Sequence, residues 1–141
     1  MAVSTEDVQI AEIATQYGAE ILWRDAVLCA DDVGTQQVMR HSLLSFPEAQ
    51  FACCIYATAP MMTAQDLMEG FYRLIGTPHA FHYIPGWFYW GTTRAFIDDI
   101  PLGGWEPWSA YDMEHRYIDI NTPEDWTRAE QMYAELHGIK T

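Results

Sequence analysis

A continuous apolar run from Phe51 to Ala57, followed through Pro60 by a capped amphipathic segment, constrains the architecture of this chain more than any other feature. The run has the length of a strand rather than a helix, and its lack of alternation suits a strand covered on both faces. Thr63 is a candidate N-cap with Asp66 at the third helical position, Leu67, Gly70, Phe71 and Leu74 fall on one face, and Gly76 is placed to stop the helix. An apolar strand leading into such a helix predicts a β-α-β layout around a mostly parallel sheet, hence an α/β fold in three layers.

The flanking segments extend this alternation. Ala2 to Asp7 reads as the stub of a strand running into a helix capped by Ser4 or Thr5, with Ile10, Ile13, Ala14 and Tyr17 as the buried stripe and Gly18 as the stop. Ala19 to Trp23 reads as a strand, Asp31, Asp32 and Gly34 as a loop, and Thr35 to about Leu44 as a helix. Phe81 to Phe96 is rich in aromatics, with Tyr83, Trp87, Phe88, Tyr89 and Trp90 around Pro85-Gly86, and predicts a turn followed by a core strand. Gly103, Gly104 and Pro107 mark a loop carrying Trp105 and Trp108. Tyr117 to Ile120 reads as a last strand. Thr122 then caps a helix with Pro123 in its first turn, Trp126, Ala129, Tyr133 and Leu136 are expected on its buried face, and Gly138 ends it. With 141 residues the whole chain is expected to form one domain.

Charge narrows the partners. Twenty Asp and Glu stand against seven Lys and Arg, for a net charge of -13. Binding duplex nucleic acid needs clustered Lys and Arg, and anionic membranes attract basic surfaces, so both are excluded as expected partners. No apolar stretch approaches the roughly 20 residues of a membrane span, and Met1 to Asp7 lacks a secretory pattern, which predicts a cytoplasmic protein. Cys29, Cys53 and Cys54 have no metal-ligand spacing and are expected to be reduced, buried thiols, the last two on opposite faces of their strand. His41, His79, His82, His115 and His137 show no zinc-type pairing. Asp31-Asp32 and Asp98-Asp99 are expected to be solvated charges.

Four segments, in order, resemble the acylneuraminate and especially the pseudaminate cytidylyltransferases, the CMP-sugar synthetases that activate acidic nine-carbon sugars. They are Val3-Ser4-Thr5-Glu6-Asp7 through Tyr17-Gly18-Ala19-Glu20, Cys53-Cys54-Ile55-Tyr56-Ala57-Thr58-Ala59-Pro60, Gly86-Trp87-Phe88-Tyr89-Trp90-Gly91, and Asp119-Ile120-Asn121-Thr122-Pro123-Glu124-Asp125-Trp126. The resemblance implies a nucleotide-diphospho-sugar-transferase-like, Rossmann-like fold. It also implies transfer of CMP from CTP to an acidic nonulosonic sugar, with Mg²⁺ as cofactor. By the same resemblance, Ser4, Arg24 and Thr58 match nucleotide-contacting positions, and Asp119 and Asn121 match the two aspartates that hold the metal.

The departures point away from catalysis. The family's Gly-, Arg- and Lys-containing phosphate loop and its middle sugar and dimer segment have no counterpart in this sequence, and an Asp and a Gln of the third motif fall on Ile84 and Trp87. Asn121 in place of the second aspartate keeps an oxygen but removes a charge, which weakens Mg²⁺ binding. The expectation is a shortened cytidylyltransferase-like chain without turnover, serving as a small-ligand-binding or protein-interaction module. An active cytidylyltransferase is the alternative. A third reading is a homo-oligomer, most simply a dimer, with Trp87, Trp90, Trp105 and Trp108 as its contact, since aromatics are enriched at interface centres.

Overall fold

The computed structural model describes residues 1–30, 32–76, 81–102 and 116–139, the side chain of His82 excepted. Trp105, Trp108, His79, His115 and Asp31 lie outside them. The elements are β1 (Ala2–Thr5), α1 (Val8–Gln16), β2 (Glu20–Trp23), a 3-10 turn (Ala26–Leu28), α2 (Thr35–Leu43), β3 (Phe51–Ile55), α3 (Ala64–Ile75), β4 (Phe81–Ile84), β5 (Phe88–Thr92), α4 (Thr93–Ile97) and α5 (Pro123–His137). They fall into two compact units, Met1–Ala49 with Phe96–Asp99, and Gln50–Ala95 with Ile100–Thr141. The protein is therefore α/β, and no described helix is long and apolar enough to cross a membrane.

In the first unit β1 and β2 pair in parallel, Ala2 opposite Glu20 and Thr5 opposite Trp23, with α1 as their crossover. The helix starts later than its Ser and Thr suggested. Asp7 is the N-cap, its Oδ1 accepting from the amides of Gln9 and Ile10 at 2.7 and 3.0 Å, while Thr5 ends β1 and its hydroxyl accepts from the Asp7 amide. The expected buried stripe is also corrected. Ala11 is the buried residue of α1, and Ile10, Ile13 and Tyr17 are 51%, 57% and 82% exposed. A two-stranded sheet offers too narrow a surface to cover a full helical stripe, so the helix closes through its small alanine.

The second unit holds a three-stranded sheet in the order β3-β5-β4, both pairings antiparallel. This corrects the expectation of β3 as a parallel strand. The turn at Pro85-Gly86 is short enough to make β4 and β5 a hairpin, and β3 pairs with the second arm, Cys53 opposite Trp90 and Cys54 opposite Tyr89. Cross-strand partners share a face, so Cys53, Ile84, Phe88 and Trp90 lie on the side that α3 covers. Cys54, Tyr83 and Tyr89 line the other, where the two tyrosine rings stack at 5.0 Å. All three cysteines are free and half-buried rather than buried; burial pushes the Cys54 thiol up to about 11 and Cys53 further, so neither is a thiolate near neutrality.

Helix α3 begins as its sequence predicts. The Thr63 hydroxyl accepts from the Asp66 amide at 3.3 Å, and the Asp66 carboxylate accepts from the Thr63 amide and hydroxyl at 2.8 and 2.7 Å. Gly70 faces β5, where an added Cβ would stand 2.6 Å from Phe88 Cε2 and 3.0 Å from Trp90 Cδ1. Trp90 is locked there by its indole N–H, which donates to the Leu67 carbonyl at 2.9 Å. Gly70→Ala is therefore expected to destabilise the protein by about 1–3 kcal/mol through overpacking, read as a lower urea midpoint at unchanged slope. A midpoint equal to wild type would mean that α3 and β5 do not pack this closely.

Two expectations for the C-terminal part are corrected. Tyr117 to Ile120 joins no ladder among the described residues and is held by one backbone bond, from the Ile120 amide to the Thr58 carbonyl at 2.9 Å. Helix α5 is capped by Thr122 as predicted, and Asp125 completes a capping box with it; Pro123 lies in the first turn and Gly138 is left-handed at φ 64°. Its buried positions, however, are Ala129 and Ala134, while Trp126, Tyr133 and Leu136 are exposed. The helix rests on Met61 and Ile118 through Ala129, a contact wide enough for a methyl group and too narrow for the aromatic stripe.

Candidate functional site

Three of the four motif segments converge in the second unit. After β3 the chain turns at Tyr56, whose amide donates to the Trp87 carbonyl at 2.9 Å, and the Thr58 carbonyl then takes the amide of Ile120. This places the segment from Thr58 beside the one carrying Asp119 and Asn121. The Gly86 turn completes the arrangement. Its φ is 72°, and a Cβ there would lie 2.9 Å from Asp119 Oδ2 and 3.4 Å from the Tyr117 hydroxyl. Glycine thus serves twice, supplying a left-handed backbone and letting the Asp119 carboxylate sit against the turn.

Aromatic packing sets the floor of this region. Trp87 is fully enclosed and stacks on Tyr117, with ring centroids 5.7 Å apart and planes 8° from parallel, and the Tyr117 hydroxyl donates to the Pro85 carbonyl at 3.0 Å. Among the described residues the buried Trp87 indole N–H has no hydrogen-bond partner. Trp87 has no surface to offer another chain, which corrects its reading as an interface residue, and Trp90 is half-buried with its N–H committed to Leu67. Ile84 lies in the core at 2% exposure.

The other two nucleotide-matching residues meet in the first unit. The Arg24 guanidinium donates from Nη2 to the Ser4 carbonyl at 2.7 Å, and its Nε lies 3.6 Å from Glu6, so its partner is Glu6 rather than the neighbouring Glu20 or Asp25. Among the described residues the buried Ser4 hydroxyl and Arg24 Nε have no hydrogen-bond partner. Arg24 spends one donor on backbone at the strand end, which leaves it short of the free fork that phosphate recognition uses.

The donor set at Asp119 does not suit Mg²⁺. Asp119 is half-buried and offers one carboxylate; Asn121 is exposed, with its amide nitrogen donating to the Asp119 carbonyl at 3.4 Å. Mg²⁺ dehydrates reluctantly and is held through carboxylates and substrate phosphates, so one carboxylate and one carboxamide form a weak site. Among the described residues no group of three or more His, Cys, Asp or Glu is placed to hold a metal ion.

One ion pair in this unit was not legible. Arg116 forks onto Asp66, Nη1 to Oδ2 at 3.0 Å and Nη2 to Oδ1 at 3.1 Å, and Nη1 also donates to the Met61 carbonyl at 3.2 Å. Burial alone would push the Asp66 carboxyl up, but the Arg116 guanidinium and the Thr63 hydroxyl and amide outweigh it and hold the group below its ordinary range. Sequence explains Asp66 through its cap; the cap engages only one carboxylate oxygen, and the second could have signalled a distant cation.

Two open grooves among the described residues lie in the first unit, of about 390 and 490 Å³, and neither is lined by Thr58 or Asp119. The first runs along α1 between Val8 and Trp23; the second lies beside Arg40, whose guanidinium donates to the Ile97 carbonyl at 3.0 Å and pairs with Asp99 at 3.3 Å.

No protein-family model matches the sequence. Pseudaminic acid cytidylyltransferase from Campylobacter jejuni subsp. jejuni serotype O:2 is 28% identical over 102 residues, covering 68% of this chain and 44% of that protein. The enzyme of the same name from serotype O:23/36 gives the same identity and coverage. The chain is weakly homologous to pseudaminic acid cytidylyltransferases and spans less than half their length.

Proposed function

We propose that this chain is a cytidylyltransferase-like module that binds a small nucleotide-like ligand, or another protein, without transferring CMP. The observation that carries this reading is the meeting of Thr58, Gly86 and Asp119 in one place with Asn121 where a second carboxylate is needed. Thr58 follows the end of β3, and its carbonyl takes the Ile120 amide, which sets it beside Asp119. Turnover of CTP would require a metal to offset its phosphates, and the surface works against this, with a net charge of -13. An active enzyme is the second reading, favoured by the retained Asp119.

Titration with CTP, with and without Mg²⁺, followed by NMR amide shifts and pyrophosphate release, tests the reading. Weak, saturable shifts near Thr58 and Asp119 without pyrophosphate are expected. Asn121→Asp restores a second carboxylate two residues from Asp119 and is expected to strengthen Mg²⁺-dependent CTP binding by about ten-fold, or roughly 1.4 kcal/mol. Pyrophosphate release by the unaltered chain would establish the second reading, and absence of any shift at millimolar ligand would remove nucleotide binding altogether.

A further inference from the structure

The sheet of the second unit ends at an open edge. The Tyr56 amide donates to the Trp87 carbonyl and the Thr93 amide to the Gln50 carbonyl, each at 2.9 Å. Antiparallel ladders alternate, so Gln50, Ala52, Cys54 and Tyr56 turn their backbone N–H and C=O toward β5, while Phe51, Cys53 and Ile55 turn theirs away from it. β3 has β5 on one side and no strand on the other, and among the described residues no group bonds to the outward backbone of Phe51, Cys53 or Ile55. Helix α3 packs mainly on β4 and β5, which leaves Phe51 and Ile55 37% and 41% exposed.

The chemistry of such an edge names its occupant. Donors and acceptors alternating along an extended backbone are matched in spacing by another strand. Edges that stay single are blunted by a charge, a proline or a bulge; Phe51-Ala52-Cys53-Cys54-Ile55 has no charge and no proline, and it pairs with β5 residue for residue. Two observations select a second copy of this chain. No charged residue lies between Glu48 and Asp66, so this is a place where two chains of net charge -13 meet without opposing like charges. The outward residues are also symmetric about Cys53. An antiparallel copy centred there sets Cys53 against Cys53 and Phe51 against Ile55 on either side, apolar against apolar, with each pair exchanging two hydrogen bonds across about 5.5 Å between Cα atoms. A slip of one residue would set outward-facing groups against inward-facing ones, so the register is fixed.

We infer that β3 pairs with β3 of a second copy about a two-fold axis at Cys53, joining the two sheets into one. Such a contact is isologous: it closes at the dimer and consumes the edge that made it. The inference does not rest on nucleotide binding, since it uses none of Thr58, Gly86 or Asp119.

The test uses the full chain under reducing conditions, so that no disulfide contributes. Light scattering is expected to give twice the chain mass, with dissociation on dilution and a tighter dimer as salt rises and screens the net charge. Ile55→Lys places a charge opposite Phe51 of the second copy and is expected to weaken the dimer at least ten-fold. Hydrogen exchange of the unaltered chain reads the register without a substitution. The amides of Phe51, Cys53 and Ile55 are expected to exchange more slowly as protein concentration rises, while those of Ala52 and Cys54, already bonded to β5, change little. A chain that stays monomeric to about one millimolar would overturn the proposal. So would a dimer in which the amides of Phe51, Cys53 and Ile55 stay unprotected, which would place the contact elsewhere, or protection of those amides at every dilution, which would mean that the chain covers its own edge.

Discussion

Arg116→Met is expected to lower the stability of the protein by about 3 kcal/mol, at the lower end of the range for breaking a buried ion pair because the Arg116 side chain is 20% exposed. For a chain of this size the melting temperature should fall by roughly 6–12 °C. The cost comes from what remains. Asp66 is 6% exposed, and without its guanidinium partner the carboxylate is left, among the described residues, with Thr63 to satisfy it. The pH dependence distinguishes this from a general packing defect. The lowered pKa of Asp66 contributes stability that is complete above the ordinary Asp value of about 3.9 and is lost as pH falls through the folded-state value. In the variant, burial acts on Asp66 with no guanidinium to oppose it, so its pKa should rise. The gap between the two proteins should therefore be widest near neutral pH and narrow as acid protonates the carboxyl. A gap that stays constant from pH 7 to pH 4 in urea-unfolding measurements would show that the ion pair is not its source.

Trp87→Ala is expected to cost about 3–5 kcal/mol, the range for emptying a large aromatic site in a packed core. Trp87 is fully enclosed with Ala59, Ile84 and Phe88, and Tyr117 lies flat against it. Trp87→Phe should cost far less. Phenylalanine keeps most of the ring contact and omits the indole N–H that has no partner, so it loses packing while relieving an unsatisfied donor. Because Tyr117 bonds to Pro85 and lies beside Gly86 and Asp119, the alanine variant should also shift the amide resonances of Gly86 and Asp119, and the phenylalanine variant should leave them near their original positions. Equal stability losses for the two substitutions would contradict the enclosed position assigned to the ring.

Much of the local structure is legible in the residues. The capping boxes at Thr63 and Thr122, Pro123 in the first turn and the left-handed Gly138 follow from short-range chemistry, in which a side chain three residues away satisfies a free amide. The strand at Phe51 and the face of α3 formed by Leu67, Gly70, Phe71 and Leu74 follow from periodicity. Three of the four family-like segments do come together, at Thr58, Gly86 and Asp119. Other features depended on partners that no local pattern names. Asp66 looks like a complete cap until Arg116 arrives from fifty residues away, and Trp87 looks like an interface residue until its neighbours enclose it.

By itself the sequence determined where helices begin and end, the acidic character of the surface and the likeness to cytidylyltransferases, because caps, charges and motifs are properties of neighbouring residues. Only the tertiary structure decided that β3 pairs antiparallel with β5, and that the stripes of α1 and α5 face outward. Strand direction and helix docking depend on which surfaces are present to be covered. An apolar stripe records that a helix has a face to bury, and the width of the adjoining sheet or loop sets whether a methyl group or an aromatic ring can be buried there.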